Sequence, residues 1–247
     1  NEHIAVWDGY KYTQAHATKV SGIKSVLWND GFWDKIRPVV NMAETICLAL
    51  NENDRFVHKS PYAEFDFAGE VKKRFPLHQY KRCSTDLQRL RSVKSDLELA
   101  QVRTAIGISK IGFERILKFT KPGVYEYQIE AELIHAYLSN RATGHSFHPI
   151  VASGASACVL HYVENNRVCN DGDLLLVDCG VDYANYASDM TRALPVNGKF
   201  TKRQKDVYNA VLRVMREATK LLVPGTLLME YHQVVGKELM EKELVDL

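Results

Sequence analysis

Asp178 and Asp189 are the two side chains of this sequence whose type and spacing point most directly to chemistry. Four apolar residues, 174–177, lead into Asp178. Small and turn-forming residues fill the eleven-residue step to Asp189, and a strand-like run continues through Val196. Read as an antiparallel hairpin with its tip at Tyr183 and Ala184, the segment pairs 182 with 185, 180 with 187 and 178 with 189. That register puts both carboxylates on one face, with Cβ atoms about 4.5–5.5 Å apart. Like charges so placed repel, so in a partly buried setting one is protonated or a cation lies between them. Paired carboxylates that bridge two hard divalent ions, about 3.5–4 Å apart, are what metal-assisted hydrolysis uses to activate a shared water. Oxygen and imidazole donors suit Mn²⁺, Co²⁺ or Zn²⁺ better than a thiolate site would. The competing reading makes both residues turn caps at a sheet edge. Asp173 and Asp182 fit turn roles, and Cys179 fits a small packed residue.

His161 is the next candidate. It follows a glycine-containing turn and a short apolar run, 158–163, read as a strand. A histidine at a strand end beside a carboxylate hairpin can hydrogen-bond a substrate carbonyl or a tetrahedral oxyanion; the alternative is a structural histidine bonded to backbone. His145 and His148 bracket Phe147 and fit a loop or a substrate wall. No HExxH, P-loop, GxGxxG or GxSxG occurs.

The elements that must position these residues are legible around them. Ser95 and Glu98 form a capping box, and Leu99, Val102, Ile106, Phe113, Ile116 and Leu117 then recur at helical spacing. Pro122-Gly123 stops that helix, and a second runs over about 126–140. Strand-like pieces follow at 149–152, 158–163, 174–179 and 186–196. Thr201 and Gln204 form another capping box. It opens a helix with Val207, Val211, Met215 and Leu222 on one face, which Pro224-Gly225 closes before a further helix near Leu228. The helix, Pro-Gly, helix pattern thus occurs twice, with Pro122 and Pro224 separated by 102 residues, as a duplicated half-domain would show.

Residues 1–90 read as a small α/β unit. Strand-like runs lie at 4–7 and 23–28, an amphipathic stretch at 38–50 and a helix at 62–74; the polar segment 87–94 reads as a linker. Of the 247 residues 46% are hydrophobic and 25% charged, with a net charge of +2, an ordinary globular composition. The basic runs are short, which argues against a nucleic-acid stripe. Five cysteines without CxxC spacing favour a reducing, cytoplasmic compartment over a disulfide framework. No apolar run reaches the length of a membrane span.

Leu176-Val177-Asp178-Cys179-Gly180, the step to Ser188-Asp189-Met190-Thr191-Arg192, and the upstream Leu160-His161-Tyr162 resemble the M24 metallopeptidases. Within these the chain looks most like the Xaa-Pro aminopeptidase branch, a choice that residues 195–200 support. The resemblance implies an α+β pita-bread catalytic domain, its first half over 91–247, preceded by part of a small creatinase-like α/β domain over 1–90. It implies a two-metal hydrolase, probed first with Mn²⁺, that removes the N-terminal residue from peptides with proline second. Asp178 would bind one metal and Asp189 would bridge two. His161 would touch the substrate or stabilise the intermediate, and Trp7 would lend an aromatic face to a neighbouring subunit of a homo-oligomer, dimer or tetramer. The family completes the site with one His and two Glu, for which this chain shows no matching pattern. The expectation is therefore a chain truncated at both ends and inactive alone. A prolidase that cleaves only dipeptides and a non-catalytic pita-bread binding module are the alternatives.

Overall fold

Local capping sets where the helices begin. In the computed structural model, which describes residues 6–7, 9–50 and 62–245, both expected capping boxes are closed. Glu98 Oε2 accepts from the Ser95 amide at 2.7 Å, and Ser95 Oγ accepts from the Glu98 amide at 3.4 Å. Gln204 Oε1 and Thr201 Oγ1 reciprocate at 2.8 and 3.2 Å.

The chain divides into two compact units, Asn1–Val93 and Lys94–Leu247. The first contains α1 (Gln14–Ser21), α2 (Phe32–Asn41), β1 (Thr45–Leu48), α3 (Ala63–Arg74), β2 (Gln79–Arg82) and α4 (Ser84–Ser92). Strands β1 and β2 pair in parallel. Four expectations change here. Residues 23–28 are irregular rather than a strand. Of the amphipathic stretch 38–50, residues 38–41 close a helix that begins at Phe32 and contains Pro38, and Thr45–Leu48 form β1. The polar segment taken as a linker is mostly α4, whose Arg89 and Arg91 lie in its last turn, where cations suit the helix dipole. The strand expected at 4–7 is not seen either: residues 6 and 7 are helical, and residues 4 and 5 lie outside the described residues.

The second unit opens with two long helices, α5 (Asp96–Phe119) and α6 (Glu126–Ser139). Then come β3 (Gly144–His145), β4 (Ile150–Ser153), a 3-10 turn over Gly154–Cys158, β5 (Leu174–Cys179), β6 (Val181–Tyr183), β7 (Tyr186–Ala187) and β8 (Met190–Pro195). Helix α7 (Lys202–Leu221) and a helical stretch made of α8 (Leu228–Gln233), a π-helical turn (Val234–Met240) and α9 (Glu241–Leu244) follow. Strands β4, β5 and β8 form one antiparallel sheet in that order, and β3, β6 and β7 another. The expected strand at 158–163 is instead the end of the 3-10 turn and an irregular segment. The two Pro-Gly stops adopt the same backbone: Gly123 and Gly225 have φ of +91° and +96°, a region in which glycine alone is comfortable. No helix among the described residues is long and apolar enough to cross a membrane.

The core lies between α5, α6 and the inner face of β5. Strand β5 alternates strictly: Leu175, Val177 and Cys179 are fully buried, while Leu174, Leu176 and Asp178 face the other way. On α5 the buried residues are Ala105, Ile108, Ser109, Gly112 and Ile116. The large residues Ile106 and Leu117 are about half exposed, while Ile116 is fully buried and Phe113 packs against the core, so small side chains share the contact face with part of the expected apolar set. Helix α7 behaves alike. It buries Ala210, Val214 and Ala218, while Val207, Val211 and Met215 line an apolar groove of about 470 Å³ shared with Leu174, Leu176 and Ala193.

Gly112 shows how close the helices come. A methyl group there would lie 2.7 Å from Tyr137 Cε1 and 3.4 Å from Leu133 Cδ2, and both partners are fully buried. Alanine gains about 1 kcal/mol of helix propensity over glycine, but overpacking costs about 1–3 kcal/mol. Gly112→Ala should therefore lower the urea midpoint. Gly107→Ala on the same helix, where a Cβ meets nothing within 4 Å, should leave it unchanged or raise it.

Candidate metal centre

The hairpin that carries the two acids turns one residue later than its sequence suggests. Its tip is Ala184-Asn185, with φ of +52° and +65°, the two positive values that a two-residue hairpin turn compatible with strand twist requires. Tyr183 pairs with Tyr186, Asp182 with Ala187, Cys179 with Met190 and Asp178 with Thr191. Each partner of the first strand is thus displaced by two residues from the expected register. Because side chains alternate with period two, that displacement keeps every residue on its expected face. Asp189 remains on the side of Asp178, as a diagonal rather than a direct neighbour. Asp182, expected in a turn, lies within β6, and its carbonyl accepts from the Thr143 amide at 2.8 Å. Asp173 does cap a turn, accepting from the amide and side chain of Asn170.

Regular pairing lapses at Gly180 on one side and at Ser188 and Asp189 on the other. The lapse is built rather than loose. Ser146 donates its amide to the Gly180 carbonyl at 3.1 Å and its hydroxyl to the Ser188 carbonyl at 2.8 Å. Ser188 Oγ accepts from the Val181 amide at 2.9 Å and lies 2.6 Å from Ser109 Oγ on α5. A Cβ at residue 180 would collide with the Ser188 carbonyl and the Ser146 hydroxyl. Tyr186 ties the tip to the start of α5 by donating to Glu98 Oε1 at 2.8 Å.

The two carboxylates flank this closure and sense each other. Loss of hydration first, and the Asp178 carboxylate second, hold the Asp189 carboxyl above the usual carboxylate range. Asp178 Oδ1 is buried with no hydrogen-bond partner. An orphaned buried carboxylate oxygen facing a second carboxylate is costly without a counter-charge, and a divalent cation supplies one. The donor set present therefore fits hard metal ions. Among the described residues no third His, Cys, Asp or Glu joins the pair. Cys179 is fully buried on the opposite face, and burial raises its thiol, as a packed residue should show.

His161 is exposed in the turn that follows the 3-10 segment, and its neighbour Tyr162 is buried. His145 lies in a strand rather than a loop. It sits in β3 opposite Val181, packs edge-on against Tyr137 with ring centroids 5.2 Å apart, and has both ring nitrogens buried without partners. Trp7 belongs to the first unit and is 79% exposed. Sequence reasoning missed Glu126, a wholly buried carboxylate at the start of α6, and Asn165, buried with φ of +46°. A glutamate in a first helical turn ordinarily reads as a surface partner of the helix dipole, so nothing local marks Glu126 as buried.

The sequence profile of metallopeptidase family M24 matches residues 100–246, and the chain belongs to that family. An Xaa-Pro aminopeptidase of Haemophilus influenzae is 40% identical over 161 residues, which cover 65% of this chain and 37% of the relative. That of Escherichia coli is 40% identical over 141 residues, 57% of this chain and 32% of the relative. Proline aminopeptidase P II from Yersinia pestis superposes with a TM-score of 0.84 at 31% identity, covering 100% of this chain and 57% of that one. A variant of Escherichia coli aminopeptidase P in complex with substrate gives 0.87 at 30%, with 100% and 56% covered. The fold is thus the mixed α/β pita-bread fold of these structures over the part matched. The chain spans about a third of the length of the curated relatives and somewhat over half of the solved ones.

Two outcomes are expected. Gly180→Ala has no free volume to enter and should cost about 3 kcal/mol or more, seen as a fall in the urea midpoint with a parallel loss of divalent-metal binding. Burial holds His145 below its ordinary pKa of 6.5, with Glu130 opposing the shift and His148 reinforcing it. Above that value the ring is neutral folded or unfolded. Below it the unfolded chain takes up a proton that the folded one resists, so stability falls as the pH drops through about 6.5. His145→Leu should flatten the urea midpoint between pH 7 and pH 5.

Proposed function

We propose that the protein is a dinuclear Xaa-Pro aminopeptidase, which removes the N-terminal residue from peptides with proline in second position. The observation that carries the reading is the pair Asp178 and Asp189, with one oxygen of Asp178 buried and unpartnered, in a chain whose matched relatives are Xaa-Pro aminopeptidases. Asp178 and Asp189 would hold the ions, with one His and two Glu of the family pattern completing the set. Two bound divalent ions supply a water of lowered pKa and positive charge at the developing oxyanion. Asp189, diagonal to Asp178 on the same face of the hairpin, would bridge the two ions. His161 offers an exposed ring that can donate to the substrate carbonyl oxygen as charge develops there. Mn²⁺ is the ion to test first, and oxygen donors favour it over softer metals. Five free cysteines, two of them buried, support a reducing, cytoplasmic location. A homo-oligomer would allow the exposed Trp7 to face a neighbouring subunit's site.

The test is metal content and peptide cleavage by the full-length protein. Asp178→Asn and Asp189→Asn should each lose bound Mn²⁺. Cleavage of an Xaa-Pro tripeptide should fall by more than the roughly 10–100-fold that loss of an outer partner costs. A wild-type protein that retains no divalent ion at saturating Mn²⁺ would leave a binding module instead. Cleavage confined to dipeptides would make it a prolidase.

A further inference from the structure

Glu126 is fully buried, yet every hydrogen bond it makes is accounted for. It accepts from the Ser153 amide at 2.7 Å, the Ser153 hydroxyl at 2.6 Å, the Tyr162 hydroxyl at 2.7 Å and the Arg167 amide at 2.9 Å. Its own amide donates to the Arg167 carbonyl at 2.9 Å. A buried carboxylate pays a desolvation cost that a hydrophobic side chain of similar size avoids. Four donors offset much of that cost, and what they add is geometry: they fix the end of β4, the start of α6 and the segment 159–168 to one point.

The other end of β4 is fixed by the same segment. Asn165 Oδ1 accepts from the Val151 amide at 2.9 Å, and its Nδ2 donates to the Pro149 carbonyl at 2.9 Å and to Glu130 Oε2 at 2.8 Å. Between these anchors the Tyr162 ring, 9% exposed, clusters with Ile150 and Ala152. Ile150 is the residue paired with Asp178. An unbroken run of contacts therefore links a proposed metal ligand to the residue beside His161: Asp178 to Ile150 across the sheet, Ile150 to the Tyr162 ring, and Tyr162 to Glu126. Burial and the Glu126 carboxylate together raise the Tyr162 phenol, which keeps it a donor throughout the neutral range.

We infer that Glu126 and Tyr162 are positioning residues, which hold the exposed His161 ring at a fixed place relative to the sheet that carries Asp178. Neither side chain is needed to bind metal. Tyr162 acts on His161 through one peptide unit, and Glu126 acts on Tyr162. The inference rests on the proposed role of His161 in peptide hydrolysis, and one arm of its test does not.

Tyr162→Phe keeps the ring in its apolar cluster and deletes only the hydroxyl. In the Mn²⁺-loaded full-length protein it should lower kcat on an Xaa-Pro tripeptide by about 10–100-fold, the range for loss of an outer partner, with KM and Mn²⁺ content unchanged. In a His161→Ala background the same substitution should have no further effect on kcat. Glu126→Gln, which keeps size but removes charge, should act in the same direction. The second arm is the NMR signal of the His161 ring in the metal-free protein. Tyr162→Phe should shift or broaden it while the His135 and His232 signals stay in place. Equal kcat losses in both backgrounds, or an unmoved His161 signal, would overturn the inference. If the wild-type protein cleaves no Xaa-Pro peptide, the hydrolase reading fails, and the His161 signal alone decides whether the clamp exists.

Discussion

Two like charges are held together, and the second unit is organised around that constraint. Asp178 and Asp189 would move apart if the hairpin were free to relax. It is not, because backbone occupies the place where the side chain of residue 180 would be. Ser146 and Ser188 close over Gly180, Ser109 reaches in from α5, and Tyr186 binds the tip to the beginning of the same helix. Hydrogen bonds to buried backbone are costly to leave unmade, so the closure resists the electrostatic push. Protein rigidity and charge repulsion together make a place where a cation lowers the energy.

The second unit shows two ways of spending polar groups in a core. The serine closure uses neutral hydroxyls and fixes one hairpin. The Glu126 node uses a charge and fixes three separate segments. A neutral hydroxyl has few acceptor positions, whereas an ionised carboxylate accepts along about four directions. That difference suits a point where a helix start, a strand end and an irregular segment must meet. It also explains why an irregular segment such as 159–168 can stand beside a candidate site without regular secondary structure of its own.

How much of this could be read in advance depends on whether the deciding interaction is local. The helix starts at Ser95 and Thr201 were legible because a capping box lies within four residues. The Pro-Gly stops were legible for the same reason. The hairpin was legible as a hairpin, and the common face of the two acids followed from parity. The tip was misplaced because Ala184 takes left-handed backbone without the usual glycine, and Asn185, which tolerates it, was a weak signal alone. The buried face of α5 was legible in part: Ile116 and Phe113 lie on it, but periodicity weights large apolar residues, while close helix packing also selects Ala105, Ser109 and Gly112. The roles of Glu126 and Asn165 depend on partners up to 41 residues away, and no window of sequence contains both ends of such a bond.

The alternation of β5 has a consequence for which metals this face can select. Along that strand an oxygen donor and a sulfur donor are consecutive, Asp178 turned to one side and Cys179 buried on the other. A shift of a single residue would exchange them, presenting a soft thiolate where a hard carboxylate now stands. The fit of this face to hard ions is therefore held by strand parity as much as by residue identity. The apolar side chains of Leu175 and Val177, locked in the core, act as the register marks that keep it.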